Sequence, residues 1–143
     1  MLCRDEAGAR RLRARPEALP GEPLATLPCD LADLDSVAAC AEALLTRAEP
    51  IDTLLLNAGL QYSGARQPRW SAQGFELTIA VNHLAHQALL QRLLPLLARG
   101  HEARLVVTAS EVHDPRSGGG RVGRPAGLGA LEGLRQEIGR AHV

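Results

Sequence analysis

Short apolar runs alternate with longer segments of helical periodicity along this chain. The apolar runs span residues 24–29, 51–56 and 104–109, a length that suits buried β-strands rather than helices. Residues 31–48 and 74–97 carry apolar side chains at spacings of three and four, which predicts two amphipathic helices. Strands that alternate with helices in this way pair in parallel through right-handed crossovers. The pattern therefore predicts an α/β fold.

Helix-breaking residues set the remaining boundaries. Residues 5–15 have helix-forming composition, and the prolines that follow them end this predicted helix. Residues 61–73 and the glycine-rich residues 110–129 are predicted loops. Pro95 is expected to kink or end the last turn of its helix. The continuous hydrophobicity of residues 51–56 predicts a strand that is covered on both faces.

Polar residues follow each predicted strand at its carboxyl end. Asp30 follows the first strand, Asn57-Ala58-Gly59 the second and Ser110 the third. Ligands of open parallel sheets bind beyond this edge, so these residues are candidates for a site. Asn57-Ala58-Gly59 can also be a plain strand-terminating turn, and the Ser110 hydroxyl can also bond only to loop backbone.

Composition narrows the class of protein. The chain has 143 residues, 45% hydrophobic and 22% charged, as is typical of one soluble domain. Its 16 basic residues, all arginine, balance 16 acidic ones, which removes the electrostatic argument for a nucleic-acid partner. A membrane-spanning helix needs about 20 apolar residues, and no apolar run here approaches that length. The first residues lack the apolar core of a signal peptide. We therefore expect a cytoplasmic protein. Cys3, Cys29 and Cys40 contain no C-x-x-C pair and are predicted to be buried thiols.

Six short segments are informative because of their order along the chain. They are Cys3-Arg4, Cys29-Asp30-Leu31, Leu56-Asn57-Ala58-Gly59, Gly74-Phe75-Glu76, Val81-Asn82-His83-Leu84-Ala85-His86 and Arg104-Leu105-Val106-Val107-Thr108-Ala109-Ser110. In this order they resemble the short-chain dehydrogenase/reductase family, from the end of its second strand to the serine after its fifth strand. The residues from Glu111 to Pro115 are similar to the retinol-dehydrogenase-like and protochlorophyllide-reductase-like branch.

The resemblance implies a Rossmann-like doubly wound parallel sheet that is truncated. Met1 already matches near the end of the family's second strand, so we expect the first strand, with its glycine-rich turn, and the C-terminal strands to be missing from an interior fragment. Residues 1–136 would then be a partial NAD(P)-binding domain. Residues 137–143 look like a translated sequencing adapter, although they could instead belong to a genuine helical tail.

The resemblance also implies an NAD(P)-dependent oxidoreductase that transfers hydride between a nicotinamide cofactor and a carbonyl or alcohol substrate. Ser110 would hydrogen-bond the substrate oxygen. Asn82 would interrupt the helical hydrogen bonds and order a water that leads to the family's lysine. The family's Tyr-x-x-x-Lys pair is absent, because the chain has no lysine and its only tyrosine, Tyr62, precedes the matched helix. The chain alone is therefore expected to be inactive.

The implied cofactor contacts lie at the strand ends. Asp30 would bond the adenine and Leu31 would pack beside it, while Asn57, Ala58 and Gly59 would line the ribose and the nicotinamide. Arg4 suits the 2′-phosphate of NADP, so NADP is expected, with NAD as the other possibility. Arg4 can also be one more surface arginine.

Other functions have weaker support in the sequence. His83 and His86 lie three residues apart but need a further ligand on a facing element, so no metal site is predicted. Ser110, His113 and Asp114 crowd one loop without the glycines of a nucleophile elbow, which disfavours a hydrolase. The alternative to an enzyme is a non-catalytic nucleotide-binding or regulatory module on the same fold. The intact parent protein could be homo-oligomeric.

Overall fold

The computed structural model describes residues 1–13, 25–61, 67–111, 114, 116–118 and 121. Tyr62, His113, most of the predicted loop 110–129 and the tail 137–143 lie outside the described residues. The elements are β1 (Leu2–Cys3), α1 (Glu6–Arg13), β2 (Leu27–Pro28), α2 (Leu34–Arg47), β3 (Thr53–Leu56), α3 (Leu77–Ile79), a π-helical turn (Ala80–Leu84), α4 (Ala85–Leu97) and β4 (Arg104–Val107).

The described strands form two parallel pairs. β1 pairs with β2, placing Cys3 opposite Pro28, and β3 pairs with β4, placing Leu56 opposite Val107. In a doubly wound sheet ordered 3-2-1-4-5, strands 3 and 2 pair on one side and strands 4 and 5 on the other. The two observed pairs reproduce these outer pairs, and the predicted α/β fold with parallel strands is confirmed.

One apolar core joins the helices to the strand pairs. α2 packs against α4 and also contacts β2, while α4 contacts β3. The core contains Cys29, Val37, Cys40, Ala41, Leu56, Ala85, Leu89, Leu93 and Leu96. This packing holds both strand pairs against one helical layer. None of the described helices is long and apolar enough to cross a membrane.

α2 is shorter than the predicted helix 31–48 because side chains cap its start. The Asp33 carboxylate accepts a hydrogen bond from the Asp35 N–H at 3.0 Å. Gln73 braces this cap from a distant segment, since its Nε2 donates to Asp33 Oδ1 at 2.7 Å and its Oε1 accepts from the Leu34 N–H at 3.0 Å. Asp33 therefore stands at the N-cap, and the residues before it form a turn. At the other end Ala48 adopts a left-handed conformation with φ 55°.

The predicted helix 74–97 begins at Leu77 and contains an irregular turn. Glu76 caps its start, because its carboxylate accepts from the Ile79 N–H at 3.0 Å. The π-helical turn Ala80–Leu84 interrupts the α-helical pattern before α4 continues to Leu97. Pro95 lies inside the last turn of α4 without ending it. Proline has no backbone N–H, so one helical hydrogen bond is missing there. The helix ends only two residues later, and its last turn keeps its geometry.

β3 and β4 are more exposed than the sequence predicted. Leu56 is buried, but Leu55 is 59% exposed and Val107 is 56% exposed. The expectation that residues 51–56 are covered on both faces is therefore wrong for the described structure. Successive side chains of a strand point to opposite faces, and no described helix buries the Leu55 face. The strand itself is also shorter than predicted, because Ile51 and Asp52 precede its first paired residue, Thr53.

Candidate active site

The carboxyl ends of each strand pair bring predicted site residues to one edge. Arg4 directly follows β1, and Asp30 lies two residues after β2. Asn57 directly follows β3, and Thr108 directly follows β4. Because both pairs are parallel, each pair presents its two polar ends on the same side. The structure thus gathers the predicted residues in two sets, Arg4 with Asp30 and Asn57 with the residues after β4.

Thr108 orients Asn57 across the β3–β4 edge. The Thr108 hydroxyl donates to Asn57 Oδ1 at 2.8 Å, and the Thr108 N–H donates to the Leu56 carbonyl at 3.0 Å. The Asn57 amide oxygen is thereby held by the protein, so the NH2 group is the donor that can serve a ligand. The sequence did not predict that Thr108 positions the Asn57 side chain. The feature that could have indicated it is a hydroxyl at the end of a strand, two residues before Ser110.

Asn82 fixes the loop that follows β3. Its Nδ2 donates to the Leu60 carbonyl at 2.9 Å, and its Oδ1 accepts from the Leu60 N–H at 2.8 Å. Asn82 lies in the π-helical turn, whose wide ring is closed by the Ala85 N–H donating to the Ala80 carbonyl. The predicted interruption of helical hydrogen bonds around Asn82 is therefore present. Its amide bonds to main chain here, and the water-ordering role stays a prediction.

Gly59 stands beside this pair of hydrogen bonds. A β-carbon at position 59 would lie 3.5 Å from Asn82 Oδ1, which is an ordinary van der Waals contact. Among the described residues, no contact requires glycine at this position.

Asp30 is held in a tight turn beyond β2. Its Oδ1 accepts from the Ala32 N–H at 2.9 Å, and its own N–H donates to the Ser36 hydroxyl at 2.9 Å. Asp30 is half-buried, and the neighbouring Leu31 packs partly buried against the core. These contacts orient the carboxylate at the strand end while engaging only one of its oxygens in the hydrogen bond to Ala32.

Arg4 extends into solvent at the β1 end. Its side chain is 75% exposed, and its Nε lies 3.7 Å from Asp5 Oδ2 in a weak surface ion pair. The Asp5 carboxylate is held mainly by the Gly8 N–H at 2.6 Å, and this hydrogen bond lowers the pKa of Asp5. Most of the guanidinium is therefore accessible to an anionic ligand.

The histidine pair of the π turn and α4 is divided between solvent and core. His83 is exposed, whereas His86 is 8% exposed. Burial lowers the pKa of His86, and the nearby His83 adds a smaller effect in the same direction. His86 is therefore a neutral core side chain at physiological pH. Ser110 is exposed beyond β4.

Comparison with known proteins identifies the family. The family model described as short chain dehydrogenase matches residues 1–121. The chain belongs to the short chain dehydrogenase family. Protochlorophyllide reductases are among its relatives. Over 136 residues, 94% of this chain, it is 35% identical to that of Daucus carota and 32% identical to that of Marchantia paleacea. These matches confirm the expected resemblance to the protochlorophyllide-reductase-like branch.

Solved structures of the family share the fold. The Pseudomonas aeruginosa RhlG/NADP active-site complex is 26% identical with a TM-score of 0.59, covering 82% of this chain and 46% of that one. A short chain dehydrogenase of Escherichia coli complexed with NADPH is 25% identical with a TM-score of 0.64, covering 81% of this chain and 49% of that one. This chain spans 34% of the Daucus carota protochlorophyllide reductase and 30% of the Marchantia paleacea one, which is about a third of their length.

Proposed function

We propose that this chain is the part of an NADP-dependent oxidoreductase that holds the cofactor and orients the substrate oxygen. The complete enzyme would transfer hydride between the nicotinamide and a carbonyl or alcohol substrate. The observation that carries the proposal is the mutual bonding of Asn82 and Leu60 beside Gly59, which shapes the loop after β3. The family match over residues 1–121 supports it.

The described residues are compatible with a dinucleotide at the strand ends. Asp30 would accept from the adenine and Leu31 would pack beside it, while Asn57, Ala58 and Gly59 would line the ribose and the nicotinamide. The orientation of Asn57 by Thr108 supports this assignment, as does the lack of any contact between Gly59 and the described residues that requires glycine. When bound, the nicotinamide supplies or accepts the hydride.

Arg4 gives the proposed preference for NADP over NAD. Its exposed guanidinium beyond β1 would pair with the 2′-phosphate, since arginine forms forked, charge-assisted hydrogen bonds with phosphate. The NADP and NADPH named for two solved relatives support this preference. NAD is the other candidate cofactor.

Ser110 and Asn82 would act on the reacting oxygen and its proton. The Ser110 hydroxyl beyond β4 would donate to the substrate oxygen and so stabilise negative charge that develops there. Asn82, in its π-helical turn, would hold the loop geometry and order a water toward a lysine of the complete enzyme. The Asn82 amide already bonds to Leu60. We therefore propose that Asn82 orders this water indirectly, through the loop that it positions.

Further properties of the complete protein belong to this proposal. Its partners would be a small carbonyl or alcohol substrate and further copies of itself, with no nucleic acid and no metal at the site. Residues 1–136 would form the partial cofactor-binding domain. A cytoplasmic location stays a prediction. It differs from the location of the two protochlorophyllide reductases compared above, which are chloroplastic.

A non-catalytic module is the second candidate. The family's proton-transfer pair needs a lysine and this segment has none, so a complete protein that also lacks one would be such a module. Such a module would bind the dinucleotide through the same strand ends. Turnover by the complete enzyme separates the two candidates.

The test uses an enzyme that carries this segment within a longer chain. NADPH oxidation is followed with a panel of carbonyl substrates, and Ser110→Ala is compared with Thr46→Ala, which removes an exposed hydroxyl from α2. Loss of a transition-state donor predicts a kcat about 100-fold lower for Ser110→Ala with little change in Tm. Cofactor binding without turnover would favour the non-catalytic module. A Ser110→Ala protein that unfolds would show a structural role instead.

A further inference from the structure

Two of the three cysteines lie in one apolar core, next to the proposed adenine site. Cys29 directly follows β2, and Cys40 lies in the middle of α2. Each is 4% exposed, and both belong to the same apolar cluster. α2 packs on β2, so residues that are 11 positions apart in sequence lie on facing elements.

The two thiols are close enough for each to change the ionisation of the other. Hydrogen bonding with Cys40 is the largest cause that raises the pKa of Cys29, and hydrogen bonding with Cys29 lowers the pKa of Cys40. These opposite directions make Cys29 the thiol that keeps its proton as the pH rises. Cys40 carries the greater thiolate character, and the thiolate is the nucleophilic form.

Cys3 provides an internal comparison on the neighbouring strand. The Cys3 carbonyl accepts from the Cys29 N–H at 2.9 Å, yet Cys3 is paired with Pro28 in the parallel register. Paired residues share a face and successive residues alternate, so the Cys3 and Cys29 side chains point to opposite faces. Cys3 is buried but does not belong to the cluster that contains the other two thiols.

We propose that Cys29 and Cys40 are a redox dithiol that a hydroperoxide converts into an intramolecular disulfide. The Cys40 thiolate attacks one oxygen of hydrogen peroxide, the O–O bond breaks, and the released hydroxide takes a proton to leave as water. Cys40 is then a sulfenic acid. The Cys29 thiol attacks this sulfur, an S–S bond forms, and the sulfenic oxygen leaves as a second water. Two sulfurs lose two electrons, and the peroxide gains them.

A small oxidant reaches this buried dithiol when the end of β2 opens locally. Cys29 lies beyond Pro28, the last paired residue of β2, and its N–H donates to the Cys3 carbonyl. Strand ends open at a lower free-energy cost than the core does. The disulfide would then tie the end of β2, which leads into Asp30, to α2. This inference does not depend on the proposed catalytic function.

The experiment maps disulfides in the full chain after peroxide treatment in dilute solution. No arginine or lysine lies between Arg15 and Arg47, so trypsin keeps Cys29 and Cys40 on one peptide and releases Cys3 on another. We expect the shared peptide to lose two hydrogen atoms and the number of alkylatable thiols to fall from three to one. Cleavage before Asp30 should then leave two fragments joined until they are reduced.

Single alanine variants test the order of the two steps. Cys29→Ala should leave a sulfenic acid on Cys40 that dimedone traps, whereas Cys40→Ala should leave Cys29 unmodified. Cys3→Ala should form the disulfide as the unchanged chain does. The same treatment in guanidinium chloride measures pairing without the fold, where bridges to Cys3 should appear.

Three results would overturn the proposal. One is that all three thiols stay reduced under native conditions. Another is that Cys3 joins disulfides in the native chain as often as it does in denaturant. The third is equal dimedone labelling of Cys29 and Cys40 in the two single variants, because the proposal assigns the first attack to Cys40.

Discussion

The Asn82 side chain and the Leu60 main chain exchange two hydrogen bonds, with the Asn82 amide donating at 2.9 Å and accepting at 2.8 Å. An asparagine amide can satisfy the carbonyl and the N–H of one residue at once because it carries both a donor and an acceptor. Few other side chains of that size can do so. The contact ties the helix that begins at Leu77 to the loop after β3 and thereby places Gly59.

We predict that Asn82→Ala loosens this loop without unfolding the chain. Loss of two hydrogen bonds should lower the free energy of unfolding by about 1–3 kcal/mol. Hydrogen exchange should show faster exchange of the Leu60 amide. His83→Ala, an exposed change in the same turn, is the control and should leave the Leu60 amide protected. An unchanged exchange rate in Asn82→Ala would mean that the loop is held by other contacts.

Arg4→Ala should discriminate between the two nicotinamide cofactors. In an enzyme that carries this segment, the change should weaken NADP binding by about 1–3 kcal/mol and leave NAD binding nearly unchanged, because only NADP offers a 2′-phosphate. Calorimetric titration with both cofactors measures this. Arg10→Ala, which removes an exposed charge from α1, is the matched control. Equal losses for NADP and NAD would reject the assignment of Arg4 to the phosphate.

The stability of the chain should depend on pH through His86. Burial lowers the pKa of His86 in the folded state, so its stabilising contribution is fully present above the unfolded pKa of about 6.5. That contribution is lost as the pH falls through the folded pKa, since the unfolded state binds the proton first. Urea melts between about pH 8 and pH 5 should show this slope, and His86→Leu should reduce it.

His83 serves as the comparison for that measurement. His83→Ala should change the slope less than His86→Leu does, because burial is the larger cause of the lowered pKa and charge on His83 the smaller one. A slope that disappears in His83→Ala would reverse this order. It would make repulsion between the two histidines the main cause.

This chain by itself should show no nicotinamide-dependent turnover. It contains no lysine, and its only tyrosine, Tyr62, precedes the helix that carries Asn82, so no matched group remains to transfer the proton. NADPH absorbance in the presence of carbonyl substrates is the measurement. Any substrate-dependent oxidation would contradict the prediction.

The same chain should also self-associate. Leu55 and Val107 are more than half exposed, and two-stranded sheets with exposed apolar faces aggregate readily. Sedimentation velocity would detect the association, and Leu55→Lys should reduce it. A monomer that melts cooperatively would show that the described strand pairs are stable as they are.

Local patterns predicted the element types but not all of their ends. The periodicity of residues 31–48 gave α2, yet its start depends on the Asp33 cap, which Gln73 supports from 40 residues away. The prediction for residues 51–56 placed a strand correctly and its coverage wrongly. Hydrophobicity records what a strand is able to bury, whereas exposure depends on which elements are packed against it.

The sequence by itself determined the alternation of strands and helices, the polar residues at the strand ends and the family, because each depends on short segments and on their order along the chain. Only the tertiary structure decided which of those residues hold each other in place. Thr108 bonds Asn57 across 51 residues, and Asn82 bonds Leu60 across 22. Such pairs are set by strand register and by the packing of α4 against β3, and a periodic pattern of apolar side chains specifies neither of them.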